Sequence, residues 1–102
     1  MKSEDQRRQV RTWIEQGKQI GKSFSIDRDV RQFYVRVAIQ KQRDAYRVLV
    51  DEIDEALMAA EEFEREDDRT FATLDDAITF IEGTTSVKFT ELAPSRGQKW
   101  FR

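Results

Sequence analysis

Carboxylates are the residues of this chain whose types and spacing could support chemistry. Glu52 and Glu55 stand three positions apart, and Glu64 and Asp67 repeat that spacing. On a helix, residues three apart share one face, and carboxylate oxygens are ligands that Mg²⁺ accepts. However, residues 48–102 contain fourteen acidic residues, so pairs at this spacing arise by chance. We therefore expect a solvated acidic face, with no metal site, no cofactor and no catalytic residue.

The composition also favours a protein that is not an enzyme. The chain of 102 residues contains no His and no Cys. This excludes a Ser-His-Asp triad, a thiolate nucleophile and the usual zinc sites. Its length predicts a single domain over residues 1–102. Charged residues make up 37% of the chain, well above the usual quarter or so, so much of the surface should be charged.

The charge is distributed unevenly along the chain. Residues 1–47 hold twelve Lys or Arg and six Asp or Glu, whereas residues 48–102 hold six and fourteen. Halves of opposite sign should attract each other, either within one chain or between two copies.

The basic half offers a candidate nucleic-acid site. Four polar residues recur there at helical spacing: Arg36, Gln40, Arg43 and Arg47. A ridge of this kind could follow a phosphate backbone. It becomes acidic at Asp51 and Asp54, which would repel the phosphates, so nucleic-acid binding is an alternative function here. A second alternative is an acidic inhibitor or antitoxin-like protein that uses residues 51–68 to block a nucleic-acid-binding partner.

The element expected to organise the chain is a long central amphipathic helix over residues 28–66. No Gly or Pro occurs from Lys22 to Glu82, so the sequence lacks the usual signals for a turn. Apolar residues recur every eleven positions, at 35, 46 and 57 and again at 34, 45 and 56, which is close to the period of a straight helix. The fold class predicted is therefore mainly α.

Shorter elements flank this helix in the prediction. Val10, Trp13 and Ile14 indicate an N-terminal helix over residues 4–16. Thr73 is the expected N-cap of a C-terminal helix over residues 74–82. An irregular tail follows, and its last aromatic residues, Trp100 and Phe101, either fold onto the core or form a docking peptide.

An α+β fold with a hairpin over residues 33–50 is the alternative. The segments FYVRVAI and YRVLV are rich in β-branched and aromatic residues, which favour strands. The intervening QKQRD has none of the usual hairpin turn residues.

The apolar residues of the central helix would cover a wide arc of its surface, more than the flanking elements can bury. This predicts an antiparallel homodimer along the helix. In that arrangement, the basic half of each helix meets the acidic half of its copy. The expected interface residues are Tyr34, Val37, Tyr46, Leu49, Ile53 and Leu57. The first residues lack the apolar segment of a signal peptide, and no run approaches the roughly 20 apolar residues of a membrane span. We expect a cytoplasmic interaction or regulatory protein that acts through protein–protein contacts.

Overall fold

A four-stranded antiparallel sheet occupies the region predicted as the long helix. The computed structural model describes residues 2–60, 62–94 and 100–101. Neighbours in the sheet are also neighbours in the chain, in the order β1-β2-β3-β4. The elements are α1 (Lys2–Glu15), β1 (Ile20–Arg28), β2 (Arg31–Gln42), β3 (Ala45–Asp54), a 3₁₀ segment (Glu55–Ala60), β4 (Phe63–Phe71), α2 (Leu74–Thr84) and a 3₁₀ turn (Phe89–Glu91).

The prediction of a mainly helical protein with a helix over 28–66 is wrong. In β2 the large buried residues Phe33, Val35, Val37 and Ile39 stand at every second position, and this period of two is that of a strand. The alternative hairpin over 33–50 lies within the observed β2 and β3, whose paired residues extend from Phe33↔Asp54 to Gln42↔Ala45.

The chain turns between these strands without Gly or Pro. Asp29 and Val30 connect β1 to β2, and Arg43 and Asp44 connect β2 to β3. Asp29 and Arg43 have φ values of 56° and 62°, in the left-handed region where residues other than Gly are uncommon. These loops explain why the absence of Gly and Pro was a misleading helix signal.

The two flanking helices lie close to their predicted positions. Val10 and Ile14 of α1 are buried, as are Leu74, Ala77, Ile78 and Ile81 of α2. Thr73 caps α2, because its side-chain oxygen accepts a hydrogen bond from the backbone N–H of Asp76 at 3.1 Å. Gly83, expected just past the end of this helix, lies inside it.

Both helices pack on one face of the sheet, which we call the covered face. Its central residues are Val35, Val37, Ile39, Val48 and Val50, and they form one apolar cluster with the buried residues of α1 and α2. The other face, which we call the open face, carries Tyr34, Arg36, Ala38 and Gln40 of β2 and Arg47, Leu49, Asp51 and Ile53 of β3.

The end of the chain returns to the open face. Trp100 and Phe101 are buried against Ala38, with Leu49 beside them. Their backbone N–H groups both donate to Gln19 Oε1, at 2.8 and 3.1 Å. The predicted irregular tail can be followed only in part, since residues 95–99 and 102 lie outside the described residues.

Many charges of the basic and acidic halves form ion pairs with each other within the chain. Most of those among the described residues join a cation from residues 1–47 to an acid from residues 48–102. The fold therefore brings the opposite charges of the two halves together inside one molecule.

Among the described residues, no helix combines the length and the apolar character needed to cross a membrane.

Candidate interaction site on the open face

A pocket of about 460 Å³ lies on the open face. We call it the open-face pocket. Its polar wall consists of Arg36, Arg47, Asp51, Glu66 and Asp68. Its apolar wall consists of Leu49, Phe63, Trp100 and Phe101.

The register of three strands brings the polar residues together. Arg36 of β2 lies directly across from Asp51 of β3, and Asp51 lies directly across from Glu66 of β4. Directly paired residues of antiparallel strands point to the same face and have neighbouring Cβ atoms. Asp68 is the partner of Leu49 in the same ladder, so the wall continues along β4.

Two ion pairs neutralise both guanidinium groups of the pocket. Arg36 donates to Asp51 Oδ2. Arg47 forms a two-pronged pair with Asp68, through Nε to Oδ1 at 2.8 Å and Nη2 to Oδ2 at 2.6 Å. This contact holds the pKa of Asp68 below its usual range and raises the pKa of Arg47. The Arg47 guanidinium also lies 5.1 Å from the centroid of the Phe101 ring, which is within cation–π range.

One carboxylate and one indole of the wall have unused hydrogen-bonding atoms. Asp51 is only 3% exposed and Trp100 only 5%. Among the described residues, neither Asp51 Oδ1 nor Trp100 Nε1 has a hydrogen-bond partner. Buried polar atoms are nearly always satisfied, so the wall holds one acceptor and one donor that no described residue satisfies.

Three large apolar side chains between the end of β3 and the start of β4 are exposed. Phe63 is 38% exposed, and Leu57 and Met58, in the 3₁₀ segment that precedes β4, are 37% and 45% exposed. Phe63 pairs with Ile53, the residue near the end of β3. Phe63, which lines the pocket, therefore places exposed apolar surface beside the charged wall.

The predicted interface residues do not form one surface. Tyr34, Leu49 and Ile53 share the open face, and Leu57 lies in the 3₁₀ segment. Val37 is fully buried in the covered face, so it cannot contact another copy. Tyr46 also faces the helices, where its hydroxyl donates to Glu15 at 2.7 Å. The predicted set assumes helical spacing, whereas a strand points successive residues to opposite faces, so its members are separated.

The residues proposed for nucleic-acid contacts are also separated. Arg36, Gln40 and Arg47 lie on the open face, whereas Arg43 lies in the turn after β2. Both open-face arginines are ion-paired, and Gln40 Nε2 donates to the backbone carbonyl of Gly17 at 3.0 Å. The helical ridge therefore does not exist, and its main cations are already neutralised.

The acidic pairs likewise serve contacts within the chain. Glu52 pairs with Arg28 at 2.5 Å and with Arg65 at 3.7 Å, while Glu55 accepts from the Ser25 hydroxyl at 2.8 Å. Of the residues that the structure describes, no three acidic side chains converge as a metal site would require. Glu61, in the middle of the acidic run 51–68, lies outside the described residues.

Sequence reasoning missed the acidic members of the pocket wall. In the helical prediction, Asp51, Glu66 and Asp68 belong to a solvated acidic face. Val35, Val37 and Ile39, with Arg36 between the first two and Gln40 after the last, give the period of two that could have indicated a strand here.

Comparisons with known proteins give no analogy for this site. The chain matches no protein-family model, no curated protein and no solved structure. A function for the open-face pocket must therefore rest on the residues of this chain.

Proposed function

We propose that this protein is an interaction module that binds an extended segment of another protein, across the open face and along strand β4. The observation that carries the proposal is the open-face pocket, which combines a charged wall, buried unsatisfied polar atoms and adjacent exposed apolar side chains. Interaction sites commonly pair apolar or aromatic anchors with a polar surround.

The exposed apolar residues support a protein partner. Among the described residues, four large hydrophobic side chains are exposed, and three of them are Leu57, Met58 and Phe63. Single exposed hydrophobic residues are ordinary, but a group beside a pocket is typical of binding surfaces. Val30, the fourth, lies in the turn between β1 and β2.

Strand β4 provides an edge on which an extended segment could pair. It is the last strand of the sheet, and within the described ranges no strand lies on its outer side. The opposite edge is partly occupied, because Gly21 of β1 exchanges two backbone hydrogen bonds with Ala93, at 3.0 and 3.2 Å. A free edge with pockets beside it is the arrangement used in β-strand addition.

The charge of β4 favours a basic segment and disfavours a second β4. Its acids are Glu64, Glu66, Asp67 and Asp68, against the bases Arg65 and Arg69. Two such strands placed edge to edge would bring like charges together, which is how many sheets avoid self-pairing. A segment of opposite charge would be attracted.

The antiparallel helix dimer is wrong, because residues 28–66 form strands and a 3₁₀ segment and no long helix. Self-association itself stays a prediction. The charge of β4 argues that any dimer would use another surface.

A selection from a random peptide library tests the proposed function. Peptides that bind the immobilised native protein should lose affinity at least about tenfold, or roughly 1.4 kcal/mol, when Phe63→Ser removes the apolar anchor. Val30→Ser is the matched control, because it removes another exposed apolar side chain (99% exposed) outside the pocket wall, and it should change affinity less than twofold. Hydrogen exchange should also slow at the outer amides of β4 when peptide is bound.

The result that would contradict the proposal is a selection that returns no binder, or binders that are equally insensitive to Phe63→Ser and Val30→Ser. Circular dichroism of both variants shows whether the fold is retained.

A further inference from the structure

We propose that the open-face pocket receives a cationic side chain of the bound segment, with an arginine guanidinium as the best fit. This inference rests on the proposed function, and it names the chemistry by which that segment would be recognised. The argument comes from an imbalance of charge in the pocket wall, an unsatisfied carboxylate oxygen and the aromatic rings beside it.

The wall contains three carboxylates and two guanidiniums. Arg36 is bound to Asp51 and Arg47 to Asp68, whereas Glu66 has no ion-pair partner among the described residues. Glu66 and Asp51 are direct cross-strand neighbours, and like charges in that position destabilise a sheet. A third cation would relieve this repulsion, and the chain places none of its described cations there.

The unsatisfied oxygen of Asp51 also requires a donor. Its Oδ2 accepts from Arg36, while Oδ1 is buried without a partner. Leaving a buried acceptor unpaired is more costly than an average hydrogen bond is favourable. A guanidinium presents several N–H groups in one plane, so it could donate to Asp51 and Glu66 together, whereas an ammonium offers a point charge.

The aromatic residues suit a planar cation. Trp100 and Phe101 line the pocket beside the carboxylates, and cations are attracted to the faces of such rings. The pocket already contains one example, the Arg47 guanidinium at 5.1 Å from the Phe101 ring centroid. The unpaired Trp100 Nε1 needs an acceptor, which a backbone carbonyl of the same extended segment can supply.

An anionic ligand fits this wall poorly. It would have to displace Asp51 from Arg36 or Asp68 from Arg47, both of which are ion-paired. It would also add negative charge beside Glu66. The charge count therefore selects a cation over a carboxylate or a phosphate.

Fluorescence of Trp100 provides the test. The chain has two tryptophans, so Trp13→Phe leaves Trp100 as the only reporter, and it lies in the pocket wall. We expect N-acetyl-arginine amide to change its emission with a dissociation constant on the order of 1–10 mM, as befits a single side chain. The citrulline analogue, which has nearly the same shape without the charge, should give no change at the same concentration and ionic strength.

Two variants with the same change in net charge locate the binding site. Glu66→Gln removes the carboxylate without an ion pair and should weaken N-acetyl-arginine amide at least about threefold, or roughly 0.7 kcal/mol. Asp27→Asn is the matched control, because it lies on β1 at the opposite edge of the sheet, and it should leave the affinity unchanged.

Three outcomes overturn the inference: equal binding of the citrulline analogue, equal effects of the two variants, or no change in emission at about 50 mM ligand, roughly five times the upper end of the expected range. Stronger binding of N-acetyl-aspartate amide would replace it with an anion site. The inference and the proposed function fail separately. Selected peptides that need Phe63 but lack Arg and Lys would remove only the cation pocket, whereas arginine binding without any selected peptide would remove only the segment-binding function.

Discussion

The two faces of the sheet are built from alternate residues of the same strands, yet they differ in composition, charge and exposure. On the covered face, Val37, Ile39, Val48 and Val50 are fully buried under the two helices. On the open face, Arg36, Arg47 and Leu49 are partly exposed, and both arginines form ion pairs. Their neighbours Ala38 and Asp51 are buried there. Because successive residues of a strand point to opposite faces, one set of residues can stabilise the fold while the other set is available for recognition.

The faces also differ in how completely their polar groups are satisfied. Among the described residues, the two buried side-chain atoms without partners are Asp51 Oδ1 and Trp100 Nε1, and both residues line the open-face pocket. Buried polar atoms without hydrogen-bond partners tend to occur at functional sites, where a protein tolerates a loss of stability that a purely structural region avoids. This difference is the physical reason for placing function on the open face.

The largest expected effect comes from breaking the covered face. Ile39→Ala removes a side chain that is fully buried among the helices and β3, so we expect a loss of about 2–5 kcal/mol in the free energy of unfolding. Leu49→Ala on the open face, where the side chain is only partly buried, should cost about 1–2 kcal/mol. Urea denaturation of both variants measures the difference. Equal losses would mean that the faces contribute alike to stability.

A smaller effect is expected where the chain end meets the open face. A Cβ at Gly21 would lie 2.6 Å from the backbone carbonyl oxygen of Val37 and 2.7 Å from Trp100 Cε2. Gly21→Ala should therefore destabilise the protein by about 1–3 kcal/mol, as overpacking does, and shift Trp100 emission towards that of a solvated indole.

Gly83→Ala is the control for this prediction. Nothing lies within 4 Å of a Cβ at that position, which is inside α2. The substitution should stabilise the protein by about 0.5–1 kcal/mol through helix propensity. If Gly21→Ala is tolerated as well as Gly83→Ala and Trp100 emission is unchanged, then the Trp100 ring does not pack against Gly21.

The same comparison explains which parts of the fold could be predicted from the sequence. The helices were predictable because Val10 and Ile14, and likewise Leu74, Ile78 and Ile81, follow a helical period beside local signals such as the Thr73 cap. A helix depends on residues close in sequence. For that reason its pattern can be recognised without knowing the rest of the structure.

The sheet was less predictable because its signals are divided among distant residues. The turns between the strands place Asp29 and Arg43 at positive φ, where Gly or Asn is the usual residue. The sequence therefore lacks the usual signal for these turns. The helix-forming stretch Glu55–Ala60 becomes only a 3₁₀ segment, and β4 is made largely of charged residues with low strand propensity. Pairing of Asp51 with Arg36 and of Asp68 with Arg47 is visible only once the strands are in register. The candidate site, which depends on that register, could not be assembled from the sequence, which predicts only that Trp100 and Phe101 either fold onto the core or form a docking peptide.

The smallest expected effect concerns the ion pair that faces solvent at the pocket. Arg47 and Asp68 form two hydrogen bonds but retain 30% and 45% of their side-chain exposure. A double-mutant cycle with Arg47→Ala and Asp68→Ala should give a coupling free energy of only about 0.2–1 kcal/mol, and high salt should reduce it.

The pH dependence of that coupling gives the sharper test. Arg47 holds the pKa of Asp68 below its usual range in the folded protein, so the unfolded chain binds the proton more readily. The contribution of the pair is therefore fully present above the unfolded pKa of about 3.9 and is lost as the pH falls through the lower folded pKa. Cycles measured by urea denaturation at pH 6 and near pH 2 should show the coupling only at the higher pH. Coupling that persists near pH 2 would mean that the two side chains interact through packing on Phe101 and not through charge, and the open face would then resemble the covered face more closely than its residues suggest.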